Sequence, residues 1–296
     1  MSNGLIMMSN MKGREYDSFD LATKQLIWTI LGKAPQGTDS HIIYLGKNLR
    51  RSDMVIEVAD KLTKNEPLVI QWEHWLDLVV LECLKPFHEE SFYHLLRVRR
   101  LVRALKQMLA EHTPSDIPDY GFSDFHDIQE QMQLSQFTEL DWLILEYAAQ
   151  YHDICKLGYD PEYWTTPGKF TADQRKQLEA HARLFFNLGE FFNVFRWVVS
   201  LSVLHHYPNL KYPTNGYVAR VADLLADKKF TLMLKILINL DVYEGITGMR
   251  AYQRTEFSHQ QAIKKMPGEL GAIGTGFIPF LHALKDVSGE AVLCPN

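Results

Sequence analysis

No segment of the chain alternates apolar and polar residues with a convincing period of two, whereas apolar residues recur every three to four positions in run after run. That contrast restricts the fold more than any other feature, because a half-buried strand needs the first pattern and an amphipathic helix the second. Helical spacing runs from Phe19 to Leu31 and is broken by Gly32-Lys33-Ala34-Pro35-Gln36-Gly37. His41 to Leu45 could be a short strand or a buried turn of helix. Ser52-Asp53 caps a helix reaching Leu62, and a long helix spans His88 to His112. Thr138-Glu139-Leu140-Asp141 fits a capping box for the next one, and Thr171 with Gln174 opens another. Gly189 separates that helix from an apolar one, Phe191 to Leu204, which Pro208 stops. Helices are further expected from about Ala219 to Asp227, Phe230 to Thr247 and Ser258 to Lys265. The expected class is all-α, with residues 1–84 forming a small, mainly helical N-terminal unit.

Composition acts mainly by exclusion. A 296-residue chain with 46% hydrophobic and 23% charged residues is that of an ordinary globular protein. Its formal charge of -5 offers no broad basic footprint, so a nucleic acid duplex is not expected as a partner. Cys83, Cys155 and Cys294 are odd in number and lack metal-type spacing, as suits a reducing cytoplasm. Leu5 to Met8 is too short for a signal-peptide core. Trp75 to Leu84 contains charges and falls short of a membrane span. A cytoplasmic chain with no membrane partner is the expectation.

One helix, ending Ala148-Ala149-Gln150-Tyr151, runs into His152-Asp153, and Lys156 follows. A neighbouring imidazole and carboxylate suit a divalent metal, and a lysine suits an anion bound to it. His94, His181 and the pair His205-His206 lie on or at the ends of other apolar helices. Asp241 sits among Ile236, Leu237, Ile238, Leu240 and Val242, where a charge is costly unless paired or bound to metal. Glu90 precedes His94 by four residues and shares its helix face. Plainer explanations exist for each residue alone. A single histidine on an apolar helix is more often a hydrogen-bonded core residue, and Asp241 could pair with Arg250. The basic side Arg97, Arg99, Arg100, Arg103 and Lys106 is expected to be a solvated face rather than a phosphate patch. His126-Asp127 repeats the pair without its context and is read as chance.

Taken in order, His94, His152-Asp153, His181, His205-His206 and Asp241 resemble the HD superfamily of metal-dependent phosphohydrolases, and more narrowly its HD-GYP branch of cyclic di-GMP phosphodiesterases. His94-Leu95-Leu96-Arg97-Val98, Ala148 to Lys156, Thr166 to Thr171, Asp241 to Thr247 and Arg250-Ala251-Tyr252 carry the likeness, from about Lys85 to Phe257. It implies an HD-domain helical bundle over 85–296, holding two or three divalent transition metals. Iron or manganese is favoured, and nickel or zinc is also compatible. Glu90, His94, His152, Asp153, His181, His205, His206 and Asp241 would be the ligands, with Asp153 the carboxylate bridging two metals that also share a hydroxide. Lys156 and Arg250 would contact phosphate and Tyr212 a base. The implied activity is hydrolysis of cyclic di-GMP or a related cyclic dinucleotide.

The likeness is incomplete. The segment His205 to Pro213 is two residues shorter than the family's signature, Tyr207 replaces a Glu, and Lys211 replaces the Gly of Gly-Tyr-Pro. Cys155 stands for another Gly and Glu244 for a second Asp. A phosphohydrolase for another nucleotide, or a non-catalytic protein that binds a cyclic dinucleotide, are the alternatives. The 113–137 insertion lies next to ligand helices and could be a lid, and the N-terminal unit could be an input, a homodimer surface or a buttress.

Overall fold

A computed structural model describes residues 16–66, 77–160, 171–172, 181–192, 196–207, 218–248 and 257–288. Every regular element among them is a helix, as the period-three-to-four pattern requires. The chain separates into two compact units, each assembled from three stretches.

The first unit comprises residues 1–92, 154–166 and 183–195. Its helices are α1 (Leu21–Ile30), α2 (Ser40–Leu49) and α3 (Asp53–Thr63). Asp20, Asp39 and Ser52 cap them by accepting hydrogen bonds from first-turn N–H groups. The ambiguous His41–Leu45 run is the middle of α2, because Asp39 starts a helix there and Ile42, Leu45 and Leu49 bury one face. Gly46 lets α2 approach α1 closely: a Cβ at this position would lie 2.5 Å from Thr29 Cγ2. The segment Ile154–Gly158 is a tight helical turn held by α2, with Asn48 Nδ2 donating to the Leu157 carbonyl at 2.6 Å. Val79–Leu84 is wound more widely than an α-helix just before Pro86, which has no N–H to donate.

The second unit comprises residues 93–153, 167–182 and 196–296. Its central element, α9 (Lys228–Thr247), buries Phe230, Leu232, Met233, Leu234, Ile236, Leu237, Ile238 and Leu240. Apolar all round, it must be enclosed by others. Those packed on it include α5 (Phe125–Ser135), α6 (Glu139–Tyr151), α8 (Arg196–Leu204) and α10 (His259–Leu270). The long helix α4 (Glu89–Glu111) buries Leu95, Val98, Leu101, Val102 and Leu105, the apolar side read from its sequence. The expected capping box of α6 is present, Thr138 and Asp141 each bonding the other's backbone N–H.

Three boundaries differ from expectation. Helix α7 (His181–Phe192) runs through Gly189, since packing of Phe185, Leu188 and Phe191 outweighs the roughly 1 kcal/mol helix cost of one glycine. Helix α10 passes Lys265 and Pro267 and stops at Gly271, whose φ of 51° ends it. Helix α11 (Ile278–Ser288) was not anticipated, although Ile278, Leu281 and Leu284 are buried at helical spacing. The 113–137 insertion carries α5, which buries Phe125, Ile128 and Met132, while Asp124 accepts hydrogen bonds from the Thr275 N–H and hydroxyl. Among the described residues, no helix is long and apolar enough to cross a membrane.

Candidate metal centre

Two of the helices in the second unit end in a histidine, and the helix end itself orients the ring. The last carbonyls of an α-helix have no partner within it. His152 follows Tyr151 at the end of α6, and its Nδ1–H donates to the Ala149 carbonyl at 3.0 Å. His205 follows Leu204 at the end of α8, and its Nδ1–H donates to the Ser202 carbonyl. A carbonyl only accepts, so each Nδ1 carries the proton and each Nε2 turns a lone pair inward.

These lone pairs meet two carboxylates. Asp153 faces histidines with both oxygens: Oδ1 lies 3.0 Å from His181 Nε2 and 3.8 Å from His205 Nε2. Its Oδ2 lies 3.7 Å from His94 Nε2 and 3.9 Å from His152 Nε2. Asp241 Oδ1 adds 3.0 Å to His94 Nε2 and 3.4 Å to His152 Nε2, and those two nitrogens are 3.2 Å apart. His206 completes the set, its ring 3.8 Å from that of His205 and 5.3 Å from that of His181. Ligand atoms bound at about 2.1 Å to one ion, with 90–110° between them, sit about 3.0–3.4 Å apart. The separations among His94, His152 and Asp241 fall in that range. Asp153 stands slightly wider, at 3.7–3.9 Å, from His94, His152 and His205, and the candidate ligand atoms of His181, His205 and His206 lie within 4.8 Å of one another, with Asp153 between the two groups. A grouping of His152, His205 and Asp241 cuts across both, so the centre is continuous rather than two isolated pockets.

Electrostatics favours a cation here. His94, His152, Asp153, His181 and His205 are all at most 5% exposed. Nε2 of His205 has no hydrogen-bond partner among the described residues, a cost of about 1–3 kcal/mol for a buried polar atom unless something else satisfies it. Burial pushes His205 far down, and burial with the neighbouring His181 brings His206 to about 3, so both rings are neutral and able to ligate. Burial opposes the charge on Asp241, which is kept only where positive charge stands beside it, a proton on the His152 or His94 ring or a cation. Acceptors converging at these distances need positive charge between them, from metal ions or extra protons. The donor set of imidazoles and carboxylates fits divalent transition metals.

The second unit thus brings together His94, His152, Asp153, His181, His205, His206 and Asp241. Glu90, in the first turn of α4, and Lys156, on the Ile154–Gly158 turn, belong to the first unit. Tyr212 and Arg250 lie outside the described residues, as do Lys211 and most of the 166–171 segment. The basic face of α4 is largely neutralised: Arg103 pairs with Glu146 at 2.7 Å, Arg99 with Glu146 at 3.5 Å and Lys106 with Glu139 at 2.6 Å. His126 is exposed, consistent with a chance pair.

Sequence reasoning missed the residues that orient His94. Its Nδ1 is hydrogen-bonded to Glu244 Oε2, and Arg97 Nε donates to the other oxygen of that carboxylate. A buried glutamate one turn beyond Asp241, with an arginine one turn beyond His94, was the available signal.

No family model matches the chain, and no solved structure matches it. The chain is 29% identical, over 127 residues, to the cyclic di-GMP phosphodiesterase response regulator RpfG of Xanthomonas campestris pv. campestris (strain 8004). The match covers 43% of this chain and 31% of that protein, so it spans under a third of the relative's length. The activity in that relative's name agrees with the resemblance to the HD-GYP branch read from the motifs around the histidines.

Proposed function

We propose that the chain is a metal-dependent phosphodiesterase that opens cyclic di-GMP or a related cyclic dinucleotide. The observation that carries this reading is the meeting of five buried or half-buried histidines with Asp153 and Asp241. The similarity to a cyclic di-GMP phosphodiesterase supports the substrate class. Divalent ions in such a site supply Lewis acidity toward a phosphoryl oxygen and lower the pKa of a water from 15.7 to about 7. Fe or Mn is the favoured metal, with Glu90 a further ligand if three are held.

The chain's own residues then have separate tasks. Asp153 offers one oxygen to each group of histidines and so fixes their spacing. His152 and His205 are kept as acceptors by the carbonyls behind them. Lys156 and Arg250 are assigned to the phosphodiester oxygens, where charge grows during displacement, and Tyr212 to a guanine base. These three roles rest on the motif resemblance, as does the division into an N-terminal unit over 1–84 and a phosphohydrolase domain over 85–296. The protein loaded with Mn(II) or Fe(II) is expected to convert cyclic di-GMP to pGpG or GMP, followed by chromatography. If neither product forms, the reading fails for this substrate.

The altered segment from Tyr207 to Pro213 favours a second reading, a phosphohydrolase for another nucleotide. A panel including cyclic GMP-AMP and mononucleotides separates the two. Binding of cyclic di-GMP without turnover would instead indicate a receptor.

A further inference from the structure

His94 differs from the other oriented histidines in one respect. His152 and His205 stand at helix ends and use carbonyls left over by their own helices. His94 lies five residues inside α4, where carbonyls are already taken by the helix ladder. Its orientation has to come from another helix, and the group that reaches it is the carboxylate of Glu244 on α9, 2% exposed in its side chain. A neutral imidazole with Glu244 against Nδ1 keeps its proton on that nitrogen. Nε2 is then the lone pair facing Asp241, Asp153 and His152. Arg97, on α4 with His94, holds the other oxygen of the carboxylate, so Glu244 cannot swing away without stranding a half-buried guanidinium.

Room for this arrangement is made at Gly248. A Cβ there would lie 2.5 Å from Glu244 Oε1 and 2.9 Å from the Glu244 carbonyl oxygen, whose bond from the Gly248 N–H ends α9. The carbonyl is backbone and cannot step aside, so a side chain at 248 would displace the carboxylate from its place between His94 and Arg97.

We propose that Glu244, clamped by Arg97 in a slot that Gly248 leaves open, is a positioning residue that sets the tautomer and direction of His94 for metal binding. This deepens the reading of the cluster as a metal centre and rests on it. Outer carboxylates of this kind change metal affinity by about 10–100-fold when removed.

The test uses the full chain, freed of metal by chelation and titrated calorimetrically with Mn(II). Glu244→Gln keeps the shape and removes the charge, and Gly248→Ala moves the carboxylate without changing it. Each is expected to weaken Mn(II) binding about 10–100-fold while circular dichroism stays helical. Nitrogen-15 NMR of the metal-free protein, with His94→Gln to assign the signal, is expected to show the Nδ1–H form of His94 in the wild type. In Gly248→Ala that signal should change. If wild type binds Mn(II) and both variants bind within twofold of it, with the His94 signal unmoved, the positioning role is wrong and the metal centre stands. If wild type binds none of Mn(II), Fe(II), Ni(II) and Zn(II), the metal centre itself is refuted and the positioning role with it.

Discussion

Asp153→Asn is the perturbation that most directly examines the centre, because both histidine groups depend on that one side chain. Its two oxygens face His181 and His205 on one side and His94 and His152 on the other, at 3.0–3.9 Å. Asparagine retains the volume but offers one oxygen and no charge, so at most one group keeps an oxygen donor and neither keeps the negative charge. The expected size of the effect follows from linkage. Free metal at 100 times its dissociation constant stabilises a folded protein by about 2.7 kcal/mol. In a unit of this size, each kcal/mol moves the melting temperature by about 2–4 °C. Mn(II) should therefore raise the melting temperature of the wild-type protein by about 5–10 °C, and chelator should reverse the rise. Asp153→Asn should reduce the rise to under about 2 °C. His206→Ala, which removes one donor from one group only, should keep an intermediate rise. Differential scanning fluorimetry at fixed metal and protein concentration reads all three. An equal rise in wild type and Asp153→Asn would refute the shared-carboxylate arrangement, whatever the activity of either protein.

Other regions give independent expectations. Burial opposes ionisation of Asp141, but hydrogen bonds from Thr138 and Lys229 outweigh it and hold the carboxyl below its usual value. A lowered carboxyl stabilises above its ordinary pKa and stops doing so as pH falls through the folded value. Asp141→Ala should thus cost about 1–2 kcal/mol at pH 7 by urea unfolding, mostly from the capping box, with the gap narrowing toward pH 3. Gly46→Ala gains up to about 1 kcal/mol of helix propensity, but its Cβ would meet Thr29 at 2.5–2.6 Å, an overpacking cost of about 1–3 kcal/mol. A net loss of stability is expected, and a higher melting temperature would show that α1 and α2 separate easily. Burial pushes the Cys83 thiol up to about 12, so native protein treated with iodoacetamide at pH 8 should leave it unmodified in peptide mass mapping.

Legibility in the sequence followed the range of the interaction involved. Caps at Ser52 and Thr138 were readable because they are local, three residues from cap to partner. The apolar side of α4 was readable because burial enforces periodicity along one element. Helix α11 was missed because its buried Ile278, Leu281 and Leu284 are interrupted by Pro279 and His282 and preceded by a glycine-rich stretch. At Gly189 a local signal was read correctly as a weak point, yet tertiary packing carried the helix through it.

The metal cluster shows the same division more sharply. Its donors were legible because ligand chemistry demands particular side chains, and a charge such as Asp241 in an apolar helix needs a compensating group nearby. What orients those donors was legible only in part, since two of the three orienting acceptors are main-chain carbonyls of Ala149 and Ser202, to which any residue could contribute. Of these three, His94 takes a side chain instead, and that side chain is 150 residues away in sequence. Within a helical bundle, a histidine at a helix end orients itself, whereas one in mid-helix draws its partner from a neighbour. Inward-facing carboxylates on the neighbouring helix are therefore where an orienting residue for a mid-helix ligand is to be sought, and Glu244, one turn after Asp241, stands at that place.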